Sequence, residues 1–176
     1  MQTLELIGRA IYLMLPAYMA NMSAVVTGKG GKPIDKGKEW RGKLIFGRGK
    51  TWRGLVGGSI AGWIVGIIMV AIHSPFGELP QALLPPFMLS FGALLGDLGG
   101  SFIKRRIGIE RGKPAPILDQ LDFVAGSLVL TLLVCHDWFT EAVTVDLLAA
   151  ILILTPILHF LANYSAYKLK LKDVPW

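Results

Sequence analysis

Apolar residues along this chain form five segments, each close to the length of a membrane-spanning helix. The segments cover residues 4–27, 55–73, 83–103, 121–138 and 145–164, and a helix needs about 20 residues to cross the hydrocarbon core of a bilayer. The sequence lacks the short alternating segments that would form a membrane barrel. The pattern therefore predicts an all-α integral membrane protein, a bundle of about five transmembrane helices in one domain over residues 1–176.

Composition agrees with this pattern and sets two limits. Hydrophobic residues make up 53% of the chain and charged residues 17%, against about 25% charged residues in soluble domains. Cys135 is the only cysteine, so an intrachain disulfide is excluded. The first apolar segment is longer than the core of a signal peptide and no basic run precedes it, so we expect it to stay in the mature protein.

Lys and Arg are unevenly distributed between the links that join the five segments. The links 73–82 and 137–144 contain neither residue, and Arg9 is the exception on that side. Because cytoplasmic loops are enriched in Lys and Arg, we expect a multi-pass protein of the cell membrane with its N-terminus outside and its C-terminus inside. The residues of the two basic cytoplasmic loops and the tail are Lys29, Lys32, Lys36, Lys38, Arg41, Lys43, Arg48, Lys50, Arg53, Lys104, Arg105, Arg106, Arg111, Lys113, Lys168, Lys170 and Lys172.

Glycines recur every four residues in the second and third segments. Small residues at this spacing let membrane helices approach closely, so we interpret them as packing faces. The two series are Gly54, Gly58, Gly62 and Gly66, then Gly92, Gly96 and Gly100.

Three aspartates, Asp97, Asp119 and Asp122, flank the second basic loop at a predicted membrane edge. Acidic side chains there are costly to keep and indicate a functional site with a cationic partner. Asp119 taken alone is typical of a helix cap, but three carboxylates together would repel one another unless a cation joined them. Oxygen ligands of this kind suit Mg²⁺ bound with substrate phosphates, which indicates phosphoryl or nucleotidyl transfer. The cations that would hold the phosphates are Lys104, Arg105, Arg106 and Lys113.

The first basic loop is dense in glycine and lysine. Residues 47–51, GRGKT, end as a phosphate-binding P-loop does, but residue 44 is leucine where the first glycine of that motif belongs. We reject a P-loop fold and expect a cradle of backbone N–H groups and cations for an anion, with attraction of anionic lipid as an equally weighted alternative. The candidate substrate-binding residues of this loop are Gly30, Gly31, Lys32, Lys50, Thr51 and Arg53.

Two separated motifs resemble the signature of a known enzyme family. SFIKR at residues 101–105 and DQLD at residues 119–122 resemble the S-x-x-K-R and D-x-x-D pattern of the CTP-dependent phosphatidate cytidylyltransferases. The segments PAYMANM, GKGGKPIDKGK, FGRGKTWRG and GDLGGSFIKRR extend the resemblance to archaeal members over nearly the whole chain. The chain departs from the bacterial pattern before D-x-x-D, where IERGKPAPIL stands in place of a Lys-Asp pair and a His-Gly-Gly.

The resemblance implies an enzyme in which an ether-linked isoprenoid glycerol phosphate attacks the α-phosphorus of CTP. It implies Mg²⁺ as the cofactor, with a CDP-activated lipid and pyrophosphate as products, at a cytoplasmic active site. Lys113 and the first loop would close over the nucleotide. The implied metal ligands are Asp97, Asp119 and Asp122, which with Lys104 are the expected catalytic residues, and the residues facing the triphosphate are Ser101, Lys104 and Arg105.

Several features stay open at this point. Carbonyl groups between Lys29 and Gly37 are one candidate for reading cytosine, and Asn21 and Asn163 either line the cavity or, as we favour, bond neighbouring helices. The three histidines, His73, His136 and His159, are interpreted as structural because they are scattered along the chain. The oligomeric state is open, a homodimer being one alternative, and nucleic acid is not expected as a partner.

Of three rival hypotheses, one is another membrane enzyme and two belong to other classes of protein. A CDP-alcohol phosphotransferase would carry a D-G-x-x-A-R motif, which the sequence lacks. An ion or proton transporter using Asp97 would concentrate ionisable residues near the middle of the membrane, whereas here they cluster toward one face. A non-catalytic binder of anionic lipid would tolerate the loss of Asp119 or Asp122.

Overall fold

Helices account for most of the computed structural model, which describes residues 2–73, 75–110 and 113–168, without the side chains of 162, 163 and 166. A two-stranded antiparallel hairpin, β1 and β2, lies in the first basic loop, and a single 3-10 turn, Gln81–Leu83, precedes the third helix. The elements in chain order are α1 Gln2–Thr27, β1 Glu39–Trp40, β2 Lys43–Leu44, α2 Trp52–His73, α3 Leu84–Arg106, α4 Pro116–Val134, α5 His136–Ala142 and α6 Val145–Lys168.

Four helical units in the described residues are long and apolar enough to cross a membrane. They are α1, α2, α4 and the unit Gln81–Arg106, which consists of the 3-10 turn and α3 together. The pair α5 and α6 is bent by 84° and makes a fifth span if it is counted as one. The expectation of a helical, multi-pass membrane protein is therefore confirmed.

The fourth apolar segment differs from its predicted bounds of 121–138. Helix α4 starts earlier, at Pro116, because proline needs no N–H partner in the first turn of a helix. It ends at Val134, and Cys135 adopts φ −118° and ψ 48°, outside the helical region. Trp138 thus belongs to the short helix α5, which fills much of the link after α4. The prediction missed this break because the apolar run continues across it.

The glycine series lie where helices make their closest approaches. A Cβ atom at Gly62 would contact the carbonyl oxygen of Pro16 and the Cβ of Ala20 on α1, and one at Gly92 would lie 2.6 Å from the Gly126 carbonyl oxygen on α4. The pairs α1 with α2 and α3 with α4 accordingly make the most extensive helix contacts in the bundle. This arrangement agrees with the interpretation of the glycines as packing faces.

Hydrogen bonds from hydroxyl groups join the helices inside the bundle. Ser90 on α3 donates to the carbonyl oxygen of Pro16 on α1 at 3.3 Å, and Ser127 on α4 donates to that of Leu89 on α3 at 2.9 Å. Tyr18 and Thr155 share a hydrogen bond of 2.8 Å between α1 and α6. These bonds satisfy polar groups that would otherwise lie unpaired in an apolar core.

We predict that Gly62→Ala destabilises the bundle because the added methyl group meets the α1 backbone. Overpacking of this kind costs about 1–3 kcal/mol, which a lowered midpoint of thermal unfolding in detergent would report. Gly99→Ala is the matched control, since a Cβ at Gly99 would have nothing within 4 Å. This substitution also reduces the backbone freedom of the unfolded chain, so it should not lower the midpoint. Equal midpoints for the two variants would contradict the close approach of α1 and α2.

Candidate functional site

The first basic loop folds back on itself and delivers its last residues to the start of α2. The N–H of Ile34 donates to the Lys50 carbonyl at 2.9 Å, and the N–H of Trp52 donates to the Lys32 carbonyl at 3.1 Å. Between these bonds, Pro33 and Thr51 form an antiparallel bridge. The two ends of the loop therefore run side by side and fix the main chain at Lys50 and Thr51.

Asp35 is the buried carboxylate within this loop, and it is absent from the candidate site residues predicted from the sequence. It accepts N–H groups of Gly37 at 2.9 Å and of Phe46 and Gly47 at 3.0 Å each. Burial on its own would raise the pKa of Asp35, but the backbone N–H donors outweigh burial and hold the pKa below its usual value. The carboxylate is thus charged at neutral pH and acts as the internal anchor of the loop. An aspartate between lysines in a Gly-rich stretch was the available signal.

Arg106 attaches the hairpin of this loop to the end of α3. Its guanidinium donates to the carbonyl oxygen of Trp40, to that of Lys43 at 3.0 Å and to that of Leu44 at 2.6 Å. It also lies 5.2 Å from the ring centroids of Trp40 and Phe102, which stack on each other. Both of its terminal NH₂ groups donate to the hairpin, so this cation differs from the phosphate-holding group that the sequence suggested.

A cavity of 360 Å³ lies between the loop, α1, α3 and the start of α4. Its lining combines apolar residues, among them Ala24, Leu94 and Leu98, with charged ones. A second cavity of 190 Å³ shares part of this wall and adds Phe46, Gly47 and Ser101. The charged residues of the larger cavity are Lys50, Asp97, Lys104, Arg105, Lys113 and Asp119.

Two ion pairs bridge separate elements in this charged wall. Lys50 Nζ lies 2.6 Å from Asp97 Oδ1 and 2.5 Å from Oδ2, which joins the loop to α3. Lys104 on α3 pairs with Asp119 on α4. The two ion pairs are neutral, so the charges of Arg105 and Lys113 give the lining of the cavity a net positive charge. A positive lining suits a polyanionic ligand.

Asp119 lies in the first turn of α4 and does not occupy the cap position itself. The helix begins at Pro116, and Asp119 Oδ2 accepts the N–H of Ala115, the residue before the helix, at 2.9 Å. The N–H of Asp119 in turn donates to the Ala115 carbonyl at 2.8 Å. The expectation of a helix-capping aspartate is therefore corrected: Asp119 reaches back to the cap from inside the helix.

Asp122 is packed against the glycine face of α3. A Cβ atom at Gly100 would collide with its carboxylate, and one at Gly96 would collide with its carbonyl oxygen. Its Oδ1 accepts the N–H of Phe123 at 2.6 Å, while its buried Oδ2 has no hydrogen-bond partner among the described residues. The same residues contain no group of three His, Cys, Asp or Glu side chains arranged around one cation position. The three-aspartate metal site stays a prediction.

The structure brings together most, but not all, of the residues named from the sequence. Neither cavity, as the described residues define them, is lined by Asp122 or by four residues of the first loop, Gly30, Gly31, Lys32 and Arg53. Lys32 and Arg53 are exposed. Gly31 instead allows a close approach to Thr51, whose side chain a Cβ there would meet at 2.9 Å. The residues that line one or both cavities are Lys50, Thr51, Asp97, Ser101, Lys104, Arg105, Lys113 and Asp119.

Other lining residues were weighed differently at the level of sequence. His159 was interpreted as structural, yet it lines the larger cavity and its ring centroid lies 6.4 Å from that of Phe123. Asn21 lines the same cavity, whereas the side chain of Asn163 lies outside the described residues. Of the stretch considered for cytosine recognition, only Ile34 reaches this cavity in the described part of the chain.

Comparison with known proteins gives a consistent result. The family described as CarS-like CDP-archaeol synthase matches residues 3–176. A CDP-archaeol synthase of Halorubrum lacusprofundi is 45% identical over 98% of each chain, and one of Thermococcus gammatolerans is 47% identical over 95% of each. A solved structure of an intramembrane enzyme for archaeal membrane lipids biosynthesis matches with a TM-score of 0.74 and 38% identity, covering 88% of this chain and 92% of that one. This chain therefore belongs to the CDP-archaeol synthase family.

Proposed function

We propose that this protein transfers the cytidylyl group of CTP to an ether-linked isoprenoid glycerol phosphate, giving a CDP-activated lipid and pyrophosphate. Family membership supports the reaction. The observation that carries the assignment to a site is the cavity lined both by the cations Lys50, Lys104, Arg105 and Lys113 and by apolar residues of α1 and α3. A triphosphate would lie against the cations, and the lipid would contact the apolar residues of the lining.

In this reaction the protein has to position the two substrates and neutralise the charge that develops on the phosphates. An oxygen of the lipid phosphate forms a bond to the α-phosphorus of CTP, and the bond from that phosphorus to the β-phosphate oxygen breaks, so pyrophosphate leaves with the electron pair. The attacking monoester has a second pKa near ~6 and is largely a dianion at neutral pH, so a general base is not required. Lys104 and Arg105 would orient the triphosphate and balance the charge that develops on the leaving group.

Mg²⁺ is the cofactor that we propose, and the acidic residues fit it in part. The buried, unpartnered Oδ2 of Asp122 is an oxygen donor of the kind that this cation prefers. Asp97 and Asp119 would complete the ligands, and each is balanced by a lysine in the described structure. When bound, the cation would neutralise phosphate charge. Lys50 and Lys104 would then be free to turn toward the nucleotide.

The proposed reaction is tested with purified protein, CTP labelled at the α-phosphate, Mg²⁺ and an isoprenoid ether glycerol phosphate. Label in an organic-soluble CDP-lipid with release of pyrophosphate is the expected result. The proposal is wrong if folded protein forms no product from this lipid. Gradient-driven flux in liposomes would then favour the transporter hypothesis.

We predict that Asp122→Asn and Asp119→Asn each lower the turnover number by at least about a hundredfold, because each removes a carboxylate of the proposed metal site. Thermal unfolding reports whether the bundle stays folded. Asp137→Asn is the matched control, since Asp137 is exposed on α5 and should retain parental activity. Parental turnover in Asp122→Asn would remove that residue from the metal site.

Lys50 and Lys32 provide a second comparison within one loop. Lys50 lines both cavities and reaches Asp97, whereas Lys32 is exposed and lines neither as the described residues define them. We expect Lys50→Met to raise the KM for CTP by roughly tenfold, the effect of losing one charge-assisted contact, and Lys32→Met to leave it within about twofold. The reverse order would place the nucleotide on the outer surface of the loop.

The proposed orientation puts both basic loops and the active site in the cytoplasm. Replacing the native cysteine in a Cys135→Ser variant makes any introduced cysteine the single thiol of the protein. Single cysteines are then placed at Lys38 and at Asp137, which are both exposed. A membrane-impermeant thiol reagent added to intact cells should label the cysteine at position 137 and leave that at position 38 unlabelled until the cells are opened. Labelling of position 38 from outside would invert the topology.

A further inference from the structure

We infer that Asp35, which lines neither cavity, is a positioning residue that holds Lys50 in place for the nucleotide. Asp35 stands next to Ile34, whose N–H donates to the Lys50 carbonyl at 2.9 Å. Its carboxylate also accepts the N–H of Gly47 at 3.0 Å, and the Gly47 carbonyl accepts the N–H of Lys50 at 3.1 Å. The backbone of Lys50 is thus bonded on both sides to groups that Asp35 holds together.

The main-chain conformation of the loop depends on this anchor. Lys36 has a φ of 51° and Gly37 one of 75°, and Gly47 has a φ of 98°. A left-handed conformation is unfavourable for a lysine and persists where surrounding bonds over-determine it. The Asp35 side chain accepts the N–H of Gly37, next to Lys36, and the N–H of Gly47, just before Lys50, and so joins these two parts of the loop. Without the anchor we expect the segment that carries Lys50 to relax.

The bonding pattern requires a carboxylate and cannot be reproduced by an amide. Oδ1 accepts the N–H of Gly37, while Oδ2 accepts those of Phe46 and Gly47. An asparagine has only one oxygen and presents an NH₂ group at the other position. In one orientation of the amide its NH₂ group would point at the N–H of Gly37, and in the other at the N–H groups of Phe46 and Gly47. In both cases a donor would face a donor. Asp35→Asn is therefore a nearly isosteric change that disrupts the anchor.

The inference rests on the proposed role of Lys50 and predicts that the two residues act as one unit. We expect Asp35→Asn to raise the KM for CTP by roughly tenfold, with a smaller change in the turnover number, because a displaced lysine weakens binding of the triphosphate. The double variant Asp35→Asn with Lys50→Met should be no worse than Lys50→Met alone. Glu39→Gln is the control, since Glu39 is an exposed acid of the same loop and should behave as the parent.

A merely structural role for Asp35 gives a different pattern in the same experiment. If the KM effects of Asp35→Asn and Lys50→Met multiply in the double variant, or if Asp35→Asn lowers only the thermal midpoint, the positioning role is wrong. A Lys50→Met protein with parental KM would instead overturn the role of Lys50 and, with it, this inference. Should Asp35→Asn fail to fold, Asp35→Glu keeps the charge, shifts the oxygens and is measured against Lys50→Met in the same way.

Discussion

The ion pair between Lys50 and Asp97 is the contact on which the site depends. It joins a polar loop to α3 at a place where both residues are partly shielded from water. A carboxylate at the edge of a membrane needs a partner, and removing one member of such a pair leaves the other uncompensated. The folding of the loop and the chemistry of the cavity are therefore linked, since the group that balances Asp97 is also the cation presented to a ligand.

The bundle supplies the complementary part of the site through close helix packing. Because α3 presents glycines to α4, the backbone and carboxylate of Asp122 lie directly against α3, one turn beyond Asp119. A bulkier residue at Gly96 or Gly100 would separate these helices and move the acidic residues away from Lys104. The glycines that make membrane helices pack thus also determine where the charged groups meet.

Much of this architecture follows from the sequence, and the exceptions have physical reasons. Hydropathy located the helices, but not the break at Cys135, because the apolar run continues through it. Charge and motif identified Asp97, Lys104 and Asp119, which do lie together. Composition could not tell Lys50 from Lys32, since the difference is one of direction within a folded loop. Asp35 was missed because two of its three partners, Phe46 and Gly47, lie 11 and 12 residues away.

If this cavity binds the nucleotide, CTP should protect its lysines from chemical modification. The purified protein would be treated with an amine-reactive reagent with and without CTP, and the rate at each lysine read by mass spectrometry. We expect slower modification of Lys50 and Lys104 with CTP, and unchanged rates at Lys29 and Lys38, which are exposed and line neither cavity in the described structure. Protection of Lys29 or Lys38 with none at Lys50 and Lys104 would contradict binding of the nucleotide in this cavity.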